Sequence, residues 1–247
     1  MKVGVFDSGI GGLTVVKSLL KHQLFEEIIY YGDTARVPYG IKDKNTIIRY
    51  ALEAIEFLKN FDLDLIIVAC NTVSAYALTE MRENSLCPVV GVVEAGVLAT
   101  NNALKNKNDN ILIIATKATI QSQAYQKSLL SYGFKNIQAK ATSLFVPIVE
   151  EEIYEGEILK ATFNYYFQNT LNPKAIILGC THFPLIASAI QNYFQNNVIL
   201  IHSGDAIVEY LEKQFHFKKT YSNPSLKFFA TENPEALKQV AHKWLEL

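Results

Sequence analysis

Short runs of β-branched and aliphatic residues recur along the chain, each followed by a turn and then by a segment with helical spacing. The runs KVGVF (2–6), EIIYY (27–31), DLIIVA (64–69), PVVGVV (88–93), NILIIA (110–115), AIILG (175–179) and VILI (198–201) are apolar at most positions rather than at every second one. Such runs suit parallel strands covered on both faces, and their alternation with helical segments predicts an α/β fold. Between them, Ile47, Ala51, Ile55 and Leu58 recur at steps of four, four and three, which lays an apolar stripe along one side of a helix that would pack on a sheet. The last segment repeats the logic. Asn233 can cap, Pro234 fits the first helical position, and Leu237, Val240, Ala241 and Trp244 share a face, so a docked C-terminal helix is expected.

Self-comparison adds a second level of order. DLIIVACNT (64–72) and KAIILGCTH (174–182) align residue for residue, which puts Cys70 and Cys180 at the same point of a strand-to-helix turn. The most polar stretch, KNKNDN (105–110), is short enough for a surface loop, and no flexible linker separates the two halves. The expected architecture is two similar doubly wound α/β domains with mostly parallel sheets, related by pseudo-twofold symmetry, with an active site between them. Residues 1–92 with 208–247 would form the first domain and 93–207 the second.

Composition narrows the function. Of 247 residues, 49% are hydrophobic, enough apolar material for one large core or two modest ones and too much for a disordered chain. Lysine and arginine number 23 against 24 aspartates and glutamates, a formal charge of −1 with no long run of either sign. That balance argues against direct nucleic-acid binding and against a membrane surface. No apolar run approaches the roughly 20 residues a bilayer span needs. The opening MKVGVFDSG puts an acid and a turn where a signal peptide needs an apolar stretch, so a cytoplasmic location is expected. Three cysteines without CxxC spacing point to free thiols rather than a disulfide framework.

In an open α/β sheet, ligands bind beyond the carboxyl ends of the strands, and four segments fall there. DSGIGGL (7–13) has neither the third glycine of a dinucleotide fingerprint, because Thr14 stands in its place, nor a phosphate-loop lysine. It reads as an anion cradle, with Ser8 capping the helix, or as a plain tight turn; Asp7 suits an ammonium group, a proton relay or a helix cap. GDTARVPYG (32–40) offers the Tyr39 hydroxyl and the open backbone of Gly40, with Val37 held extended by Pro38. Arginines stand only at 36, 49 and 82, so a small anionic ligand would rely on backbone N–H groups and on Ser8, Asn71, Thr72 and Thr181.

The remaining two segments are ACNT (69–72) and GCTH (179–182). A lone cysteine after a buried strand is more often an inert small hydrophobe, but a matched pair changes the reading. At helix N-termini both thiols would be drawn towards neutrality from an ordinary value of about 8.5. A Cys–His hydrolase has no use for a second equivalent thiol, whereas inversion of a stereocentre does: one group removes a proton from one face while the other delivers a proton to the opposite face. Asp7 and His182 are the side chains placed to hold those states, although His182 also fits as a helix-start residue. Metal binding lacks CxxC, HxxxH or HExxH spacing. A pyridoxal cofactor would need a Schiff-base lysine, for which Lys117 is a weak candidate, and Cys87 reads as structural.

Taken together, DSGIGGL, YYGDTARVPYG, ACNT, LFVPIVEEE (144–152) and GCTHFP (179–184) resemble the glutamate racemase family, in that family's order and over nearly the whole chain. The resemblance implies two α/β domains and interconversion of L- and D-glutamate without cofactor or metal, supplying D-glutamate for peptidoglycan, cell-wall biogenesis and cell shape. It implies that Cys70 deprotonates D-glutamate and Cys180 deprotonates L-glutamate, with Asp7 assisting near Cys70 and Glu150 and His182 near Cys180. Asp7 with Ser8, Tyr39 with Gly40, Asn71 with Thr72, and Thr181 with His182 match the family's substrate-binding pairs, and Thr116 is a further candidate. A homodimer is expected from the family. The competing readings are aspartate racemase or another amino-acid racemase using the same thiols and, in a different class, a regulatory protein that binds DNA gyrase, as some members of the family do.

Overall fold

The computed structural model describes residues 1–215, 217 and 220–246. Among them, the strands are β1 (Lys2–Asp7), β2 (Glu27–Gly32), β3 (Leu65–Val68), β4 (Val89–Gly91), β5 (Ile111–Ala115), β6 (Ile137–Ala141), β7 (Ala175–Gly179), β8 (Ile199–His202) and β9 (Ser225–Ala230). They form two sheets, one ordered β4-β3-β1-β2-β9 and the other β6-β5-β7-β8. All ladders are parallel. Read from its other edge, the second sheet runs β8-β7-β5-β6, which repeats β4-β3-β1-β2 strand for strand in chain order. The α/β architecture with two parallel sheets is therefore as expected, and the duplication extends from sequence to topology. In this order the chain reverses its direction of travel between β1 and β3, and again between β5 and β7. Those are the points at which a crevice opens outside the carboxyl ends of the strands.

Alternation along the strands builds three apolar cores. Val3, Val5, Leu65 and Ile67 from one sheet and Ile111, Ile113, Ala175 and Ile177 from the other belong to a single shared cluster. Helices Val92–Ala103 and Ser203–Gln214 add Val97, Ile207 and Leu211 to it. The opposite faces are covered separately: Phe6, Ile66 and Val68 pack with Ile47, Ala51, Ile55 and Leu58 of helix Lys44–Leu58, and Leu112, Ile114, Ile176 and Leu178 pack with Phe145, Phe163 and Phe183. Each fully buried aliphatic side chain contributes about 1.5–3 kcal/mol relative to exposure. The shared core thus holds the two sheets in a fixed relation around the site.

Local signals behave as their chemistry dictates. Asp43 Oδ1 accepts from the Thr46 N–H at 3.0 Å to open helix Lys44–Leu58. Asn233 Oδ1 accepts from the Ala236 N–H at 3.2 Å to open helix Pro234–Leu245. Strands β6 and β9 lie at sheet edges and had no counterpart among the apolar runs. Their sequences, IQAKA and SLKFFA, interleave polar residues because edge strands are only partly covered. The run PVVGVV is divided, with the strand ending at Gly91 and a helix starting at Val92, since a buried strand and a buried first helical turn look alike in hydropathy. No helix among the described residues is long and apolar enough to cross a membrane.

Candidate active site

A cavity of about 470 Å³ opens at the carboxyl ends of β1, β3, β5 and β7. Ser8, Cys70, Asn71, Thr72, Thr116, Cys180, Thr181 and His182 reach it from the four turns that follow those strands, Tyr39 and Gly40 from the loop after β2, and Glu150 from the end of helix Phe145–Glu150. Asp7 does not line the cavity but lies directly behind it, buried, with Oδ1 accepting the Gly9 N–H at 3.0 Å and Oδ2 accepting the Thr181 hydroxyl at 3.3 Å. The residues singled out in the sequence are thus brought to one place. The duplicated thiols open onto the same cavity, which satisfies the first geometric demand of a two-thiol exchange.

Gly11 makes the convergence possible, because a Cβ there would overlap the Thr181 hydroxyl and the His182 ring. The two halves meet at that point, where the Thr14 hydroxyl also donates to the Thr181 carbonyl at 2.8 Å.

Three sequence expectations need revision. Ser8 does not cap the helix Leu13–His22, whose N-cap is Gly12 without a side-chain bond; instead the Cys70 thiol donates to Ser8 Oγ at 3.4 Å. The glycine turn is an anion cradle, but one filled by the chain's own Asp7 carboxylate. Tyr39 does not offer its hydroxyl to the cavity, since that O–H donates to the buried Asp33 carboxylate. Burial and Asp33 raise the phenol far above its ordinary range, so it remains a donor at every working pH. No lysine or arginine lines the cavity among the described residues. The polar groups on its walls are instead hydroxyls, the Asn71 amide, the Glu150 carboxylate and the His182 ring.

Comparison with known proteins places this geometry. The family described as Asp/Glu/Hydantoin racemase matches residues 14–211. A glutamate racemase from a Nitratiruptor species is 63% identical over 99% of this chain and 96% of its own length. The crystal structure of glutamate racemase from Campylobacter jejuni subsp. jejuni superposes with a TM-score of 0.99 at 55% identity, covering 100% of this chain and 99% of that one. The structure from Francisella tularensis subsp. tularensis, described as in complex with D-glutamate, gives 0.86 at 35% identity over 100% and 94% of the two chains. The chain belongs to the aspartate/glutamate racemase family. It is an isomerase, an amino-acid racemase.

The two sulfurs of this racemase have different surroundings. Cys70 caps the short helix Asn71–Tyr76, yet its thiol is pushed up to about 12, first by burial and then by the Asp7 carboxylate, against lowering by Ser8 and the Val73 N–H. The expectation that helix position would bring it towards neutrality fails because desolvation outweighs the helix dipole. Cys180 precedes a four-residue 3-10 turn, Phe183–Ile186, rather than an α-helix. Its sulfur lies 3.7 Å from His182 Nδ1, and His182 Nε2 lies 3.1 Å from Glu150 Oε1. Burial alone would lower the His182 imidazole, but the Cys180 sulfur and the Glu150 carboxylate reverse that and raise it to about 10. Asp7 is raised, chiefly by desolvation, and is drawn back by His182 and by the N–H groups of Gly9 and Gly12.

Hydroxyls and amides complete the floor. Thr72, Thr116 and Thr119 form a triangle of oxygens 3.0 Å apart. Ser143 and Thr119 had no motif to announce them: Ser143 lines the cavity, and Thr119 bonds to two threonines that do; Val146 and Pro147 also line it and lie within the LFVPIVEEE stretch. Glu150 was reached only through the family likeness, because an acid at the end of an apolar helical turn has no periodic signature. Among the described residues there is no group of three or more His, Cys, Asp or Glu arranged to hold a metal ion.

Proposed function

We propose that the protein interconverts L- and D-glutamate by passing the α-proton between Cys70 and Cys180, with neither cofactor nor metal. The observation that carries the reading is the pair of thiols from topologically equivalent turns on one cavity, each with its own proton-holding neighbour. Starting from D-glutamate, the Cys70 thiolate takes the α-proton, and the Cys180 thiol delivers its proton to the opposite face of the carbanionic carbon. Product L-glutamate leaves Cys70 as thiol and Cys180 as thiolate, and the reverse reaction runs from that state. Asp7 serves the Cys70 side. On the Cys180 side the His182 imidazolium, backed by Glu150, balances the negative charge while that sulfur is anionic.

The cavity size is that of a small-ligand site. Ser8, Gly40, Asn71, Thr72, Thr116 and Thr181 supply neutral donors for two carboxylates. Such donors, preorganised in a buried site, stabilise charge that develops on the α-carboxylate as the proton leaves. The relatives named as glutamate racemases, one of them described as in complex with D-glutamate, support the choice of substrate. In the same reading, residues 1–92 with 208–247 and residues 93–207 are the two domains flanking the cavity. The enzyme works as a cytoplasmic homodimer that supplies D-glutamate for peptidoglycan.

Incubation in deuterated water tests the reading directly. Both enantiomers of glutamate should gain deuterium at the α-carbon and converge on an equal mixture. Faster exchange into aspartate than into glutamate would reassign the substrate, and exchange into neither would remove the proposal.

A further inference from the structure

The loop that brings Tyr39 and Gly40 to the cavity spans residues 33–41 and contains only two short 3-10 turns, Thr34–Arg36 and Tyr39–Ile41. A buried carboxylate holds it. Asp33 is fully buried, with Oδ2 accepting the Tyr39 hydroxyl and forming an ion pair with Arg36 Nε at 2.6 Å, and Oδ1 accepting the Thr231 hydroxyl at 2.8 Å. Arg36 also pairs with Glu53 and lies over the Tyr50 ring, 4.0 Å from its centre. A desolvated carboxylate is tolerated only when its lone pairs are met in this way, so each donor is held to a defined position.

One of those donors comes from far along the chain. Thr231 follows directly on β9, and its oxygen also accepts the Ala35 N–H at 2.9 Å. The next residue closes a second tie: the Thr34 hydroxyl donates to the Glu232 carbonyl at 2.6 Å and accepts the Glu232 N–H at 3.0 Å. Neither Asp33 nor Thr231 lines the cavity, and Thr231 lies beyond the segment 14–211 matched by the family description. The wall they hold has little slack, because a Cβ on Gly40 would collide with the Thr116 side chain. Displacement of a ligand-binding wall by a fraction of an ångström is enough to weaken binding.

We infer that Asp33 and Thr231 are positioning residues for substrate binding: the end of the last strand, through the Asp33 carboxylate, fixes the loop whose Tyr39 and Gly40 face the substrate. The inference deepens the glutamate reading and rests on it. It assigns the C-terminal strand a part in the site although none of its residues reaches the cavity.

Glutamate racemisation by the full-length wild-type protein is measured first, in both directions; no turnover there sinks the substrate reading and leaves nothing to position. With wild-type turnover established, Thr231→Val should raise KM by at least about tenfold, because it removes both the hydrogen bond to the charged Asp33 and the one accepted from the Ala35 N–H, while kcat stays within about twofold. Thr231→Ser should restore the wild-type KM. Because the equilibrium constant of a racemisation is one, kcat/KM must fall equally from either enantiomer. Asp33→Asn, which removes the charge shared by all three donors, should raise KM further than Thr231→Val. Wild-type KM in both Thr231→Val and Asp33→Asn overturns the inference, as does a loss confined to kcat or a failure of Thr231→Ser to rescue.

Discussion

Cys70 and Cys180 leave equivalent strands at the same step and open onto the same cavity, yet the chain surrounds them with opposite chemistry. On the Cys70 side the neighbours are a hydroxyl and a buried acid, Ser8 and Asp7, and the thiol is pushed up. On the Cys180 side they are an imidazole raised to about 10 and the carboxylate behind it. The repeat thus sets the backbone frame and the sulfur positions, while the side chains around each sulfur differ. Two identical environments would give two thiols with the same tendency to ionise, whereas the proposed exchange needs one of each form. What the surroundings do fix is one side of the contrast: burial and the Asp7 carboxylate favour the Cys70 thiol over its thiolate.

The most damaging way to break the comparison is to remove one sulfur at a time. Cys70→Ser or Cys180→Ser should lower racemisation by about a thousandfold, within the span expected for deleting a positioned acid or base. The two variants should differ in what they retain. With Cys180 intact, Cys70→Ser should still wash solvent deuterium into L-glutamate without inverting it, and Cys180→Ser should do the same only with D-glutamate. If either variant exchanged both enantiomers at similar rates, the face-by-face division of labour would be lost.

A smaller effect sharpens the His182 side alone. The imidazole is raised from 6.5 to about 10, so its charged form is favoured by folding. The stability this adds is present in full below pH 6.5, declines as pH rises above that value, and is gone beyond about 10. Melting temperatures of wild type and His182→Asn, measured across that window, should therefore differ most at the acid end and converge towards the alkaline end. For a chain of this size each kcal/mol moves the midpoint by about 2–4 °C. A gap that widened with rising pH would mean that the ring is held neutral, and the contrast with the Cys70 side would disappear.

How much of this was readable beforehand follows from what sequence patterns encode. Central strands announced themselves because burial on both faces demands continuous apolar runs, and the repeat DLIIVACNT/KAIILGCTH carried the two thiols with it. Edge strands β6 and β9 did not, since their half-covered faces admit lysine and glutamine. Within the site, residues in turns directly after strands were legible because topology fixes where such turns point. Partners contributed from distant segments were not: Asp33 reads as an ordinary loop acid, and only the fold shows Thr231 against it. The high position of the Cys70 thiol was equally hidden, because burial is a property of the packed cavity and helix position pointed the other way.

The residues that follow the two cysteines show a last, reciprocal feature. Thr181 reaches across to Asp7 of the other half. Asn71 reaches back to the second: its Oδ1 accepts the Tyr125 hydroxyl at 2.6 Å, and its Nδ2 donates to Ser203 Oγ at 3.1 Å. The Tyr125 O–H can only donate to the amide oxygen here, so it fixes which way the Asn71 amide faces and leaves the amide's remaining N–H for the cavity. Tyr125 is buried and does not line the cavity itself. Tyr125→Phe keeps the ring and deletes that constraint, and should raise KM for glutamate about fivefold, the worth of one neutral hydrogen bond near 1 kcal/mol, with kcat almost unchanged. An unaltered KM would show that Asn71 holds its orientation without help, and that the cross-tie on the Cys70 side matters less than its counterpart through Thr181.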